Sequence, residues 1–344
     1  MRQGGWRIRA LILGLMLAPW VCAADSAHEW TLIDIGTFGG PGSYATAVSG
    51  NGLVVGCADL ATGGTHAFIY DGATLRDLGP GSAQASGNSC ALAVNNAGLV
   101  AGRSTTGDLV IWDGSSVISI GKQGAIGAMN DRGVVVGAYK DGENTRAFSF
   151  ENGTLTALVV SPEGGSSATD INTRGQIVGA ANGRAFLYEN GVAKVLGTLG
   201  GNRSIAKSIN DSGKVVGMST DGNGQPRPFL YEGAMRALPG PAYSSANAIN
   251  NPNQVVGSAE GTYGYLLEGN TYTRLDTLPA VIQKGWRHLE PAGLNDRGWI
   301  VGTGMNPDGD LRAFILRPTD RAFAYNGLQR PQAQPVAAIA RSLR

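Results

Sequence analysis

The chain has 344 residues, with 27 Lys+Arg against 26 Asp+Glu. That balance is too near neutral for a broad electrostatic pull on nucleic acid or anionic lipid, and three histidines argue against a histidine-rich zinc site. Glycine, at 53 residues, is about twice its usual share and recurs periodically rather than in one block.

The N-terminus reads first as a targeting segment. Arg2, Arg7 and Arg9 precede the apolar run ALILGLMLAPWV (10–21), and VCAA then supplies small residues. This is the pattern of a secretory signal cleaved after Ala23 or Ala24. An uncleaved anchor is the rival, although the run falls short of the roughly 20 residues that span a bilayer. A lipoprotein fits less well, because Pro19-Trp20-Val21 stand before Cys22. Cleavage leaves 24 cations against 26 carboxylates, with Cys57 and Cys90 as the remaining cysteines. A secreted protein, periplasmic or extracellular and without an integral membrane segment, is the expectation.

Seven copies of one motif follow: AVSGNGLVVG (47–56), AVNNAGLVAG (93–102), AMNDRGVVVG (128–137), DINTRGQIVG (170–179), SINDSGKVVG (208–217), AINNPNQVVG (248–257) and GLNDRGWIVG (293–302). Their closing glycines lie 35 to 46 residues apart, the period of four-stranded propeller blades rather than of helical repeats. Each copy carries four short strand-like pieces; in the fifth they are SIAKSIN, KVVGMS, PFLYE and AMRALP. Outside the signal no window sustains a helical period.

Within the motif, Asn ends the first strand and starts a turn through its side chain. Gly three residues later supplies the left-handed backbone of a three-residue hairpin. Asn253 replaces that Gly in the sixth copy, and Asn is the residue that best tolerates the conformation. Small residues two before the Asn (Ala47, Ala93, Ala128, Ser208, Ala248, Gly293) suit an innermost strand, while Phe and Tyr load the third strand. LIDIGTFGG (32–40) matches the fourth-strand piece LGTLGG (196–201), which the seventh copy lacks. The fold expected is an all-β, seven-bladed β-propeller of four-stranded blades, closed by the N-terminal strand completing the last blade, which removes exposed sheet edges. The propeller would occupy 30–318 after a signal at 1–24, with a frayed tail at 319–344. RAFAYNG (321–327) leaves a degenerate eighth unit as the alternative.

At THAFIYDG (65–72) the pattern becomes specific. His66-Ala67-Phe68, with the IN–G–VVG and LGTLGG elements, resembles the bacterial extracellular HAF-repeat family over about residues 30 to 318. The full triplet occurs once; elsewhere it reads RAF (146–148, 184–186, 312–314) or RPF (227–229). The resemblance implies a secreted propeller and no catalytic residues to carry over.

Chemistry is expected on the face with variable loops. The longest, DTLPAVIQKGWRHLEPAG (276–293), offers Trp286, Arg287, His288 and Glu290 as ligand-binding candidates, an aromatic with mixed charge that suits a sugar or peptide. The competing reading is a plug over the ring closure. Asp170 breaks the small-residue rule, as either a carboxylate in a solvated tunnel or a catalytic acid. Asp170 and Glu290 are the weak catalytic candidates. His66 reads as a strand-entry residue bonding locally, and DGNG (221–224) and NPDGDL (306–311) as turns without calcium-loop spacing. Cys57 and Cys90 fall on adjacent blades and form a candidate disulfide. No cofactor or metal is expected. The function this supports is a monomeric, non-enzymatic binding module for an envelope glycan, peptide or surface protein; the alternative is a secreted carbohydrate-active enzyme, and a third reading is an architectural coat protein.

Overall fold

In every repeat the turn is built by the motif's own Asn or Ser and, three residues on, by Gly or, in the sixth, Asn253. Asn95 Oδ1 accepts from the amides of Ala97 and Leu99 at 3.1 and 3.0 Å, while the Asn95 amide bonds Leu99 O and Gly98 N returns to Asn95 O. The residue at the glycine position has positive φ in all seven copies, from +69° at Asn253 to +94° at Gly52. The closing glycine has a different reason. A Cβ on Gly56, Gly137 or Gly179 would overlap the carbonyl oxygen of Tyr44, Ala125 or Ser167 on the first strand and press on the Phe ring of the third. Its absence lets Phe68, Phe148 and Phe186 lie flat across the sheet, almost wholly buried. Each such ring contributes about 1.5–3 kcal/mol by leaving water.

The computed structural model describes residues 29–81, 87–114, 116–161, 164–259 and 263–319. The signal at 1–24 and nearly all of the tail, RAFAYNG included, lie outside them. The described chain is all-β apart from one 3₁₀ turn, Leu275–Thr277, and one short α-helix, Pro279–Gln283. Strands form six antiparallel sheets, five of four strands and one of seven. The seven-stranded sheet spans two sequence repeats, because one 13-residue strand, Val117–Met129, pairs with Asp108–Trp112 near its start and with Val135–Asp141 near its end. The expectation of separate four-stranded units therefore fails here. The physical reason is spacing: 35 residues between Gly102 and Gly137, the shortest interval, leave no connecting loop.

Trp30–Asp34 pairs antiparallel with Leu311–Pro318, Leu32 opposite Leu316 and Asp34 opposite Phe314. Ile35 N continues the ladder onto Ala313 O at 3.0 Å. The expected closing segment 32–40 is divided, however. It leaves the ladder at Gly36, where the backbone turns through φ +89°, and Gly39–Val48 is already the first strand of the first repeat.

Apolar clusters sit between repeats, which explains strands apolar on both faces. Val55, Ala67 and Ile69 pack on Ala91, Val100 and Trp112; Ile35, Ala45 and Phe68 pack on Val301, Ala313 and Ile315, joining the last repeat to the first. Two polar series cross the same seams. Asn95, Asn130, Asn172, Asn210 and Asn250 each donate Nδ2 to the backbone oxygen of the equivalent Asn one repeat on, at 3.0–3.4 Å. Asn295 donates to Ser49 O at 3.0 Å. Between the first and second repeats, where Ser49 is too short to cross, Asn51 Nδ2 reaches Asn96 O at 2.9 Å. In the second series, buried Ser43, Ser89, Ser166 and Ser204 accept the amides of Ala313, Ala67, Ala147 and Ala185. Ala67 is the middle of the His-Ala-Phe triplet, so that motif is an anchor between repeats.

Candidate functional site

The first strand of all seven repeats bulges at one place. Register slips between Ala45 and Ala47, Ala91 and Ala93, Ala168 and Asp170, Ala206 and Ser208, Ala246 and Ala248, and Pro291 and Gly293, and opposite Val136/Gly137 in the third. A bulge leaves one residue unpaired and re-aims its side chain. The residues released are Thr46, Leu92, Gly127, Thr169, Lys207, Asn247 and Ala292. Thr169, Lys207, Asn247 and Ala292, from four successive repeats, line one cavity of about 420 Å³ with Ser258, Glu290 and Thr303.

Its polar groups are linked from repeat to repeat. Thr169 Oγ1 lies 2.9 Å from Ala206 O. Lys207 Nζ donates to Ser245 Oγ at 2.9 Å and Asn247 Oδ1 at 2.7 Å, and Asn247 Nδ2 donates to Pro291 O at 2.9 Å. Burial pushes Lys207 below the usual lysine range, since a charged ammonium loses hydration there. Glu290, opposite Thr303 in the ladder, stands exposed on the cavity wall.

Asp170 follows different logic. Its carboxylate accepts from Ile171 N at 2.8 Å and from Ile209 N, in the next repeat, at 2.9 Å. Burial, the dominant effect, nevertheless raises it to about 6 against those bonds and the Ser208 hydroxyl. Ser208 in turn accepts Ile249 N at 3.3 Å, so a polar residue at this position ties two repeats together. Asp170 is not among the cavity walls, whereas Glu290 is; the structure does not gather the two carboxylates into one pocket.

The long 276–293 segment folds over the seam between the sixth and seventh repeats. Leu275, Leu278 and Val281 pack with Leu32, Leu316 and Trp286, and Trp286 meets Phe314 edge-on at 6.4 Å between centroids. Trp286 is thus 7% exposed and unavailable to a ligand, which corrects its assignment as a contact residue: its large apolar surface is better buried than wet. Arg287 and His288 are exposed, Arg287 Nε lying 3.3 Å from Met305 Sδ and His288 taking a positive φ of +53°. Of the four residues expected to act together, only Glu290 lines the cavity.

Cys57 and Cys90 are bonded through sulfur with Cα atoms 4.8 Å apart, joining the first two repeats. His66 Nδ1 meets Asp77 Oδ2 at 2.9 Å. In DGNG, Asp221 caps its own turn through Asn223 N and Gln225 N. Among the described residues, no group of three or more His, Cys, Asp or Glu is placed to hold a metal, and no helix is long and apolar enough to cross a membrane. Sequence reasoning missed Thr169, Lys207 and Asn247. Their signal was the column three before the Asn, which varies from copy to copy and is polar at Thr46, Thr169, Lys207 and Asn247, between columns of small residues.

Antiparallel sheets of apolar strands, stacked face to face with bulged first strands lining a polar cavity, define the β-propeller class of fold. The solved structures similar to the chain agree. YCF48 bound to D1 peptide matches with a TM-score of 0.53 at 11% identity, over 86% of this chain and 97% of that one. The β-propeller domain of the Trilobed protease from Pyrococcus furiosus, of open velcro topology, matches with a TM-score of 0.53 at 13% identity, over 83% and 98%. A puromycin-hydrolyzing peptidase of Mycobacterium tuberculosis gives 0.52 at 13% identity, over 82% of this chain and 53% of that one. At these identities the likeness is one of fold. No family profile and no curated protein matches the chain.

Proposed function

We propose that the chain is an exported, seven-bladed propeller of the HAF-repeat kind that acts as a non-enzymatic binding module, taking its ligand into the cavity where the first strands converge. Counting Val117–Met129 as the last strand of one blade and the first of the next turns six sheets into seven blades. The pairing of Trp30–Asp34 with Leu311–Pro318 and the bond from Asn295 to Ser49 support a closed ring. The observation that carries the binding reading is the cavity itself. It is polar, built from four successive repeats, and takes Thr169, Lys207, Asn247 and Ala292 from bulges beyond which the ladder resumes. Variation on a rigid frame is how binding surfaces are made, and a cavity of this size lies in the range of small-ligand sites.

The test is capture by immobilised secreted protein on glycan and peptide arrays, in parallel with Ala292→Trp, which fills the cavity from an exposed bulge position. The expected result is capture by the parent and at least a tenfold loss in the variant. Equal capture by both moves the site elsewhere, and no capture by either leaves the architectural reading.

A further inference from the structure

Resting on that cavity as the binding site, we propose that it receives a small zwitterion, an α-amino acid or dipeptide, whose carboxylate seats on Lys207 and whose ammonium seats on Glu290. Lys207 is aimed inward by its bulge and spends two of its three N–H donors on neutral acceptors, Ser245 Oγ and Asn247 Oδ1. Among the described residues burial is the cause that acts on its protonation, and no carboxylate lifts it. A partly buried ammonium held by neutral oxygens is a site short of one anion, because an ion out of water is costly unless paired. The third N–H supplies the direction, and charge-assisted bonds of this type are the strong ones.

Glu290 is the complementary half. It stands exposed on the same cavity, beside the hydroxyls of Ser258 and Thr303, and among the described residues no cation pairs with it. One wall thus offers a cation, another an anion, and the surfaces between them offer hydroxyls and an amide. Among the described residues no aromatic ring lines the cavity, so these walls give a sugar no stacking platform, whereas a ligand carrying both charges satisfies both walls.

Isothermal titration of the secreted chain with glycylglycine and L-alanine tests this, against N-acetylglycine, ethylamine and glucuronate. One-to-one binding of at least one zwitterion is expected, with loss of about tenfold or more on acetylating the amine. Glu290→Gln should cause a similar loss for the free zwitterion and none for the acetylated one, a coupling that a merely structural role would not produce. Lys207→Met should abolish binding of both; should it not fold by thermal melting, the Glu290→Gln cycle decides alone. Retained zwitterion affinity in folded Glu290→Gln overturns the assignment. Binding of glucuronate without either zwitterion overturns the ligand class while the cavity stands as a site. Silence from every probe overturns the zwitterion, and the cavity too if the arrays capture nothing.

Discussion

Replacing Asn130 by alanine separates the two jobs of the motif's asparagine. Asn130 is 5% exposed; its Oδ1 accepts from Arg132 N and Val134 N, both at 3.1 Å, and its Nδ2 donates to Asn172 O at 3.2 Å. Alanine leaves the buried Val134 amide without a partner and takes from the Asn172 carbonyl one of its two bonds, Gly175 N at 3.1 Å remaining, while the Arg132 amide lies on an exposed turn and is hydrated. An orphaned buried group costs about 1–3 kcal/mol and a lost hydrogen bond about 0.5–1.5 kcal/mol, so Asn130→Ala should cost about 2–4 kcal/mol in total. Serine is the informative second variant. In the first repeat Ser49 Oγ already accepts Leu53 N at 2.9 Å, so Asn130→Ser keeps the turn and loses only the crossing bond, about 1 kcal/mol. Urea unfolding followed by tryptophan fluorescence, with midpoints compared at constant m, measures both. A loss below about 1 kcal/mol for alanine refutes the accounting; a serine variant as stable as the parent refutes the crossing bond alone.

Reduction of the Cys57–Cys90 bond, which closes a 33-residue separation, should lower stability by about 3–4 kcal/mol on a chain-entropy estimate, read as a melting shift absent from a Cys57→Ser/Cys90→Ser double variant. Asp170 has a folded pKa near 6 against about 3.9 unfolded. The native state therefore holds its proton more tightly, and the cost of the ionised carboxyl is present above pH 6 and relieved as pH falls toward 4. Asp170→Asn should gain on the parent by up to about 3 kcal/mol in going from pH 4 to pH 7; parallel stability curves for the two would contradict this. Deleting residues 25–35 should leave the Leu311–Pro318 edge open and the protein prone to associate, seen by light scattering, with a synthetic 29–36 peptide restoring a single species. Persistence of a stable monomer without the peptide would deny the N-terminal strand that role.

The architecture was legible because a physical need was printed seven times. The Asn–Gly spacing, the Phe of the third strand and the match of residues 32–40 to 196–201 each pointed to an element the structure contains, and Asn253 at φ +69° behaves as its substitution for Gly suggests. Legibility failed where one residue serves two purposes. Asn reads as turn chemistry, yet its amide crosses to the next repeat, a contact some 40 residues away that no local pattern exposes. Trp286 reads as a binding aromatic because a long loop reads as exposed, while in the fold it packs on Phe314. Lys207 was overlooked for the opposite reason: inside a strand it looks like an ordinary outward lysine, and only the slip between Ala206 and Ser208 turns it inward.

The pairing of Trp30 with Pro318 also sets an order of events. Trp30–Asp34, early in the chain, must wait, strand unmatched, until residues as late as Pro318 have been made. Contacts so distant along the chain are slow to form, so every intermediate presents a raw hydrogen-bonding edge. Whatever accompanies the chain while it folds has to shield that edge until Leu311–Pro318 arrives.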